Sequence, residues 1–297
     1  MTSLYQQLYH GLVPALATPL QEDNATVNTT AIPPLVNFLL DRGVHGLFVA
    51  GSTGEGLMLA HDQRLRLFQA VMDAVAGRVP VLLHIGANNT AEAIYLAQQA
   101  TPLNAAAHVA ITPTFFPLPD SALTDYFVTV ANAAPHIPFM LYDIPHLAIN
   151  GITPQLLTHL ITAIPNLVGL KTSRPDAQMV RALCQTAPEN FICMAGNERI
   201  ALGALALGAT GLISGLATAI PEPFVHLISS WHNNDIPAAQ QAHQQINHLL
   251  DMLPPARLGA IKAILNQRGL NLGHPIPPRP AVTKSIWPPM AHYLNLT

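Results

Sequence analysis

Charge is scarce in this chain. Only 10% of its 297 residues are charged, and lysine occurs three times, as Lys171, Lys262 and Lys284. A formal net charge of −3 leaves no basic footprint, which argues against nucleic acid as a partner. Two cysteines, Cys184 and Cys193, are too few for a disulfide framework and lack the spacing of zinc ligands. A reduced, cytoplasmic setting is therefore expected. "MTSLYQQLYHGLVPAL" has no basic segment followed by an apolar core, so no signal peptide is read there. The 14 histidines are scattered without His-Glu-x-x-His or comparable spacing, and no metal is expected; His84, at a strand end, is the one to watch. Residues 200–220 are uncharged over 21 positions, long enough to suggest a membrane span. Gly203, Gly208, Gly211 and Gly215 break that run at "LGATG" into a short helix and a buried strand, so no membrane partner is expected.

Apolar residues, by contrast, make up half the chain, enough for a sizeable core. They fall into continuous runs: "LVPALATP" (12–19), "GLFVAG" (46–51), "VPVLLHIG" (79–86), "HVAITP" (108–113), "IPFMLYDIP" (137–145), "LVGLKTS" (167–173), "FICMAG" (191–196) and "ATGLIS" (209–214). Runs of this kind suit parallel strands covered on both faces. Amphipathic stretches such as 61–77 and 90–100 lie between them, with Thr90 and Thr153 as candidate N-caps and Pro154 at a first helical position. Eight strand–helix units in about 220 residues predict a (β/α)8 TIM barrel; a doubly wound open sheet is the alternative. The strand pattern ends after Pro221. We read residues 1–222 as the barrel and 223–297 as a small helical C-terminal extension.

Barrel chemistry collects at the C-terminal ends of strands. The second run ends in "GSTGEG" (51–56), whose backbone N–H groups and hydroxyls could cradle an anion, although glycines also serve tight turns. It matches neither a Walker loop nor a dinucleotide fingerprint. Glu55, between two glycines, reads as a structural hydrogen-bonding partner. The sixth run ends in Lys171, an expensive place for an ammonium unless it is paired or used. Such a lysine can snorkel to solvent. Desolvated, it keeps a fraction of neutral amine, the form that attacks carbonyl carbon. Tyr142, predicted one strand away, is placed to move a proton, or is a satisfied core tyrosine.

"GSTGE", "GANNT", "ITP", "YDIP" and "GLKTS", in this order, resemble the dihydrodipicolinate synthase/N-acetylneuraminate lyase superfamily over nearly the whole chain. The resemblance implies a (β/α)8 barrel, usually a homotetramer, acting on a small 2-keto acid without cofactor. It also implies that Lys171 forms a Schiff base and Tyr142 relays protons. By position, Ser52 and Thr53 match the pair that holds the keto-acid carboxylate, Thr53 also assisting the relay; Ser214 and Gly215 match the segment beside the pyruvyl group. Ser173 and Glu198 join the expected substrate-binding set. The departures bear on substrate. Leu147 stands where synthases that condense pyruvate with aspartate semialdehyde carry an arginine, and Phe115 replaces a tyrosine that reaches a neighbouring subunit. Glu198 keeps one of two acidic residues of the sialic-acid lyases, and Arg199 replaces the other. The expected function is cleavage of a 2-keto-3-deoxy sugar acid by a class I aldolase. The alternatives are a dihydrodipicolinate synthase, a dehydratase using the same lysine, or a non-catalytic binding barrel.

Overall fold

The computed structural model describes residues 3–296. Eight strands are formed: β1 (Gly11–Pro14), β2 (Leu47–Val49), β3 (Val81–His84), β4 (Ala107–Ile111), β5 (Phe139–Asp143), β6 (Leu167–Thr172), β7 (Ile192–Ala195) and β8 (Gly211–Ser214). They make one sheet in the order β1-β8-β7-β6-β5-β4-β3-β2. Neighbours from β3 through β8 pair in parallel, with helices between successive strands. This is a (β/α)8 barrel, as the apolar runs predict. Strand residues such as Leu83, Val109, Leu141, Leu170 and Met194 are almost wholly buried, because a strand covered on both faces has no solvent side.

The chain divides into two compact units. The first comprises the chain up to Val13, His45–Phe48 and Val79–Ile213. It holds all eight strands except the terminal residues Pro14, Val49 and Ser214. Its helices include Thr90–Ala100, Asp120–Asn132, Pro154–Ala163 and Ala177–Thr186. Thr153 caps its helix by accepting from Leu156 N–H, with Pro154 at the first position, as expected. The cap of the 90–100 helix is Asn89, not Thr90: the Asn89 side chain accepts from Ala91 N–H, leaving Thr90 as the first helical residue. The uncharged stretch 200–220 resolves into a helix, Ala201–Ala206, and β8. Among the described residues no helix is long and apolar enough to cross a membrane.

The second unit comprises Pro14–Val44, Val49–Arg78 and the chain from Ser214. After Ser214 it is helical, with Glu222–His232, Ile236–Met252, Arg257–Gln267 and Trp287–Tyr293. Glu222 joins two arginines, Arg42 and Arg268, and the Arg268 guanidinium lies over the Phe38 and Trp287 rings.

Candidate active site

In the barrel unit, β6 delivers Lys171 at its penultimate position. Gly169 lets β6 run close to its neighbours: a Cβ there would stand 2.8 Å from the Ile192 carbonyl and 2.9 Å from Met140 Cε. Lys171 is only 4% exposed. Its Nζ lies 4.0 Å from the centre of the Tyr142 ring and 4.5 Å from that of Phe48, within cation–π range of both. No carboxylate pairs with it among the described residues. Tyr142, buried, is its register partner on the adjacent β5. The tyrosine ring is held edge-on by Phe48 at 5.7 Å and His84 at 5.9 Å. His84 Nε2 accepts from Ile111 N–H at 3.3 Å, which assigns its proton to Nδ1 and keeps the ring fixed. The histidine singled out in the sequence thus belongs to the aromatic wall behind Tyr142. An amine bound to no acceptor among the described residues, beside a phenol, at a strand end, is equipped to attack a carbonyl and pass on a proton.

Ser173 follows in the same unit, buried, its N–H bonded to the Asp143 carbonyl at 2.9 Å. Gly196, after β7, was not singled out in the sequence as a site residue. A Cβ at 196 would stand 3.0 Å from Lys171 Cε and overlap Ser173 Oγ, so Gly196 makes room for both. Glu198 is a buried carboxylate on the short 3-10 turn Glu198–Ile200, which Asn197 caps; Arg199 is exposed. Phe115 and Leu147 are 73% and 61% exposed.

The remaining predicted residues lie in the second unit. "GSTGEG" is a turn, with left-handed backbone at Ala50 just before it and at Glu55 within it. A side chain at Gly56 would collide with the Ala50 carbonyl, and one at Gly54 would meet the Leu16 carbonyl at 2.8 Å. Thr18 Oγ1 donates to the Gly54 carbonyl and Arg279 Nη1 to that of Ser52, at 2.6 and 3.1 Å. Glu55 is buried against Lys262: Oε2 to Nζ is 2.9 Å, while Oε1 accepts from Ile276 N–H at 2.8 Å. It is a structural partner, as its flanking glycines imply. Lys262 also donates to the His274 carbonyl at 2.9 Å. Burial lowers the Lys262 pKa below the usual lysine value, and the Glu55 charge opposes that shift. Thr53 is half-buried, and no hydrogen bond occupies its hydroxyl among the described residues. Ser214 Oγ accepts from Ala217 N–H at 3.0 Å, and Gly215 opens a 3-10 turn, Leu216–Thr218.

A (β/α)8 barrel presenting a buried lysine and a tyrosine on neighbouring strand ends defines a barrel enzyme of the aldolase and lyase class. The chain belongs to the dihydrodipicolinate synthetase family, whose model matches residues 8–295. It is 32% identical to the 4-hydroxy-tetrahydrodipicolinate synthase of Methanopyrus kandleri over 236 residues, covering 80% of this chain and 78% of that protein. Among solved structures it resembles a catalytic lysine mutant of the sialic acid aldolase of Ruminococcus gnavus. That match has a TM-score of 0.93 and 27% identity, covering 99% of this chain and 98% of the other. It also resembles YagE, a dihydrodipicolinic acid synthase family protein of E. coli K12 in complex with pyruvate. There the TM-score is 0.89 at 27% identity, covering 96% and 97%. The protein is accordingly an enzyme with lyase-type activity.

Proposed function

We propose that this protein is a Schiff-base-forming class I aldolase that cleaves a 2-keto-3-deoxy sugar acid into pyruvate and an aldehyde. The observation that carries the reading is the Lys171 amine, buried beside Tyr142 and Phe48 and paired with no carboxylate among the described residues. Lys171 Nζ attacks the C2 ketone, and the carbinolamine hydroxyl leaves as water with a proton from Tyr142, giving an iminium and a tyrosinate. The C3–C4 bond then breaks, its electrons flowing into the iminium, while Tyr142 takes the proton of the C4 hydroxyl. The aldehyde leaves, the enamine is protonated at C3, and water releases pyruvate and the lysine. No organic cofactor takes part in these steps. Ser52 and Thr53 hold the keto-acid carboxylate, Ser173, Ser214 and Gly215 contribute to substrate binding, and Glu198 accepts hydroxyls of the sugar chain. Support comes from a structural relative whose described variant removes a catalytic lysine, and from another that holds pyruvate. Exposed Phe115, Phe116, Leu147 and Ile149 favour self-association, and the assembly we propose is a homotetramer.

A second reading, condensation of pyruvate with aspartate semialdehyde, is favoured by the synthase name of the sequence relatives. Leu147 opposes it, because a second carboxylate needs a fixed cation. A pyruvate-release assay coupled to NADH oxidation, run over a panel of keto-deoxy sugar acids beside a condensation assay, decides between them. Release from at least one sugar acid is expected. Efficient condensation with no release from any would overturn the proposal.

A further inference from the structure

The outer faces of β5 and β6 carry a second constellation, directly behind the first. Tyr142 pairs in register with Lys171, and the next pair along is Asp143 with Thr172. Side chains alternate along a strand, so Asp143 and Thr172 project away from the face that bears the amine and the phenol. Asp143 is wholly buried. Its carboxylate takes four donors. Oδ2 accepts from Arg174 Nε at 2.6 Å and from Thr172 Oγ1 at 2.8 Å. Oδ1 accepts from Ile152 N–H at 2.8 Å and from Arg174 Nη2 at 3.1 Å. Arg174 Nη2 also reaches the Ile152 carbonyl at 3.2 Å, and a side chain at Gly151 would overlap that same nitrogen. One fork–fork ion pair thus ties together the end of β5, the end of β6 and the segment 144–152, which carries Leu147.

We infer that the Asp143–Arg174 pair is a positioning device for the proposed reaction: it fixes the register and separation of the strand ends that present Tyr142 and Lys171. The inference rests on the Schiff-base reading. The chemistry of the pair is specific. Arg174 offers two parallel N–H groups, and only a carboxylate presents two acceptor oxygens to meet them. An amide at 143 would turn its NH2 against a guanidinium or leave one donor unmet. A lysine at 174 keeps the charge but not the fork. A nucleophile and its relay must be held to a fraction of an ångström, and misplacement by about 1 Å costs on the order of 10²-fold in rate.

The test uses the full chain and pyruvate with borohydride, following the first-order rate constant of adduct formation at Lys171 under saturating pyruvate. Arg174→Gln and Asp143→Asn should lower that rate constant about 10- to 100-fold with pyruvate affinity within about 3-fold, and Arg174→Lys should recover part of the loss. Partial unfolding lowers the amplitude of adduct and not its rate constant, so the two roles separate within one experiment. If Arg174→Gln does not fold, the conservative Arg174→Lys and Asp143→Asn variants carry the measurement. Wild-type rate constants in folded Asp143→Asn and Arg174→Lys, with only melting temperature reduced, would overturn the inference. A wild-type chain that forms no adduct at Lys171 overturns the Schiff-base reading itself, and the inference with it.

Discussion

Two buried lysines, one in each unit, are treated in opposite ways. Lys171, 4% exposed on β6, faces two aromatic rings and, among the described residues, no carboxylate. Lys262, 1% exposed on the Arg257–Gln267 helix, is bonded to the Glu55 carboxylate and the His274 carbonyl. Both are equally hidden from water, so burial alone does not mark a nucleophile. What differs is the company: Lys262 holds the turn that carries Ser52 and Thr53, its ammonium occupied by acceptors. Lys171 has two rings in cation–π range, and no acceptor holds its amine among the described residues. The buried amine that no acceptor holds among the described residues is the one to which we assign the chemistry.

The sharpest way to break that comparison is to remove each amine in turn. Lys171→Met should abolish both the borohydride-trapped pyruvate adduct and turnover, while leaving the melting temperature unchanged or higher, since an apolar chain fits among Phe48 and Tyr142. Peptide mass mapping checks the first part; an adduct found on Lys262 or Lys284 would sink the assignment. Tyr142→Phe comes next. It should keep the fold and lower kcat on the order of 10²–10⁴-fold. If steady-state activity stays within a few-fold of wild type, the relay runs elsewhere, and Thr53 is the next residue to replace.

Lys262→Met should do the reverse of Lys171→Met. It strands a buried carboxylate at Glu55, at a cost of about 3–5 kcal/mol in denaturant unfolding. Replacing both partners, Lys262→Met with Glu55→Gln, should recover part of that loss. If the single change is silent, the pair does not anchor the turn.

A third buried titratable group sharpens the same point. His108 is 1% exposed and its Nε2 has no hydrogen-bond partner among the described residues. Burial lowers its pKa from 6.5 to about 4. The folded value lies below the unfolded one, so its contribution is complete above pH 6.5 and is lost as pH falls from 6.5 towards 4. That difference corresponds to about 3 kcal/mol. His108→Leu should flatten the acid limb of unfolding free energy against pH over this window; an unchanged slope would show that His108 is not responsible.

The barrel was legible because parallel strands buried on both faces leave unbroken apolar runs, and eight of them alternating with helical stretches match the size of a (β/α)8 barrel. Lys171 was legible for a related reason, as a lone cation at the end of one of those runs. Helix ends were less so. Asn89 and Thr90 are both competent caps, and only the geometry shows that Asn89 reaches Ala91 N–H. Arg174 was missed because nothing in "KTSRPD" names its partner. Asp143 lies 31 residues away, and the two meet only once the β5–β6 register is set. The anchor of Glu55 was hidden in the same way: its bond to Ile276 spans 221 residues. Local pattern predicts what a strand does to its own residues. It is silent on which distant side chains that strand will bring together.

Leu147→Arg has the smallest expected effect and bears most directly on substrate. Both buried lysines show what an interior cation demands, namely a counter-ion or a reaction. Position 147 makes no such demand: Leu147 is 61% exposed on the short helix Pro145–Ala148, so a guanidinium there costs little folding energy. A second substrate carboxylate would give that guanidinium a bidentate partner, an interaction on the order of 1.5–3 kcal/mol when it forms. Wild-type protein should cleave a keto-deoxy sugar acid at least ~10-fold better, in kcat/KM, than it condenses pyruvate with aspartate semialdehyde. Leu147→Arg should narrow that gap about 10-fold, mainly by raising kcat/KM for condensation. The decisive comparison is the ratio of the two activities in both proteins. If the ratio does not move while the variant stays folded and active, residue 147 does not meet the substrate's far end, and the discrimination assigned to it belongs to another residue.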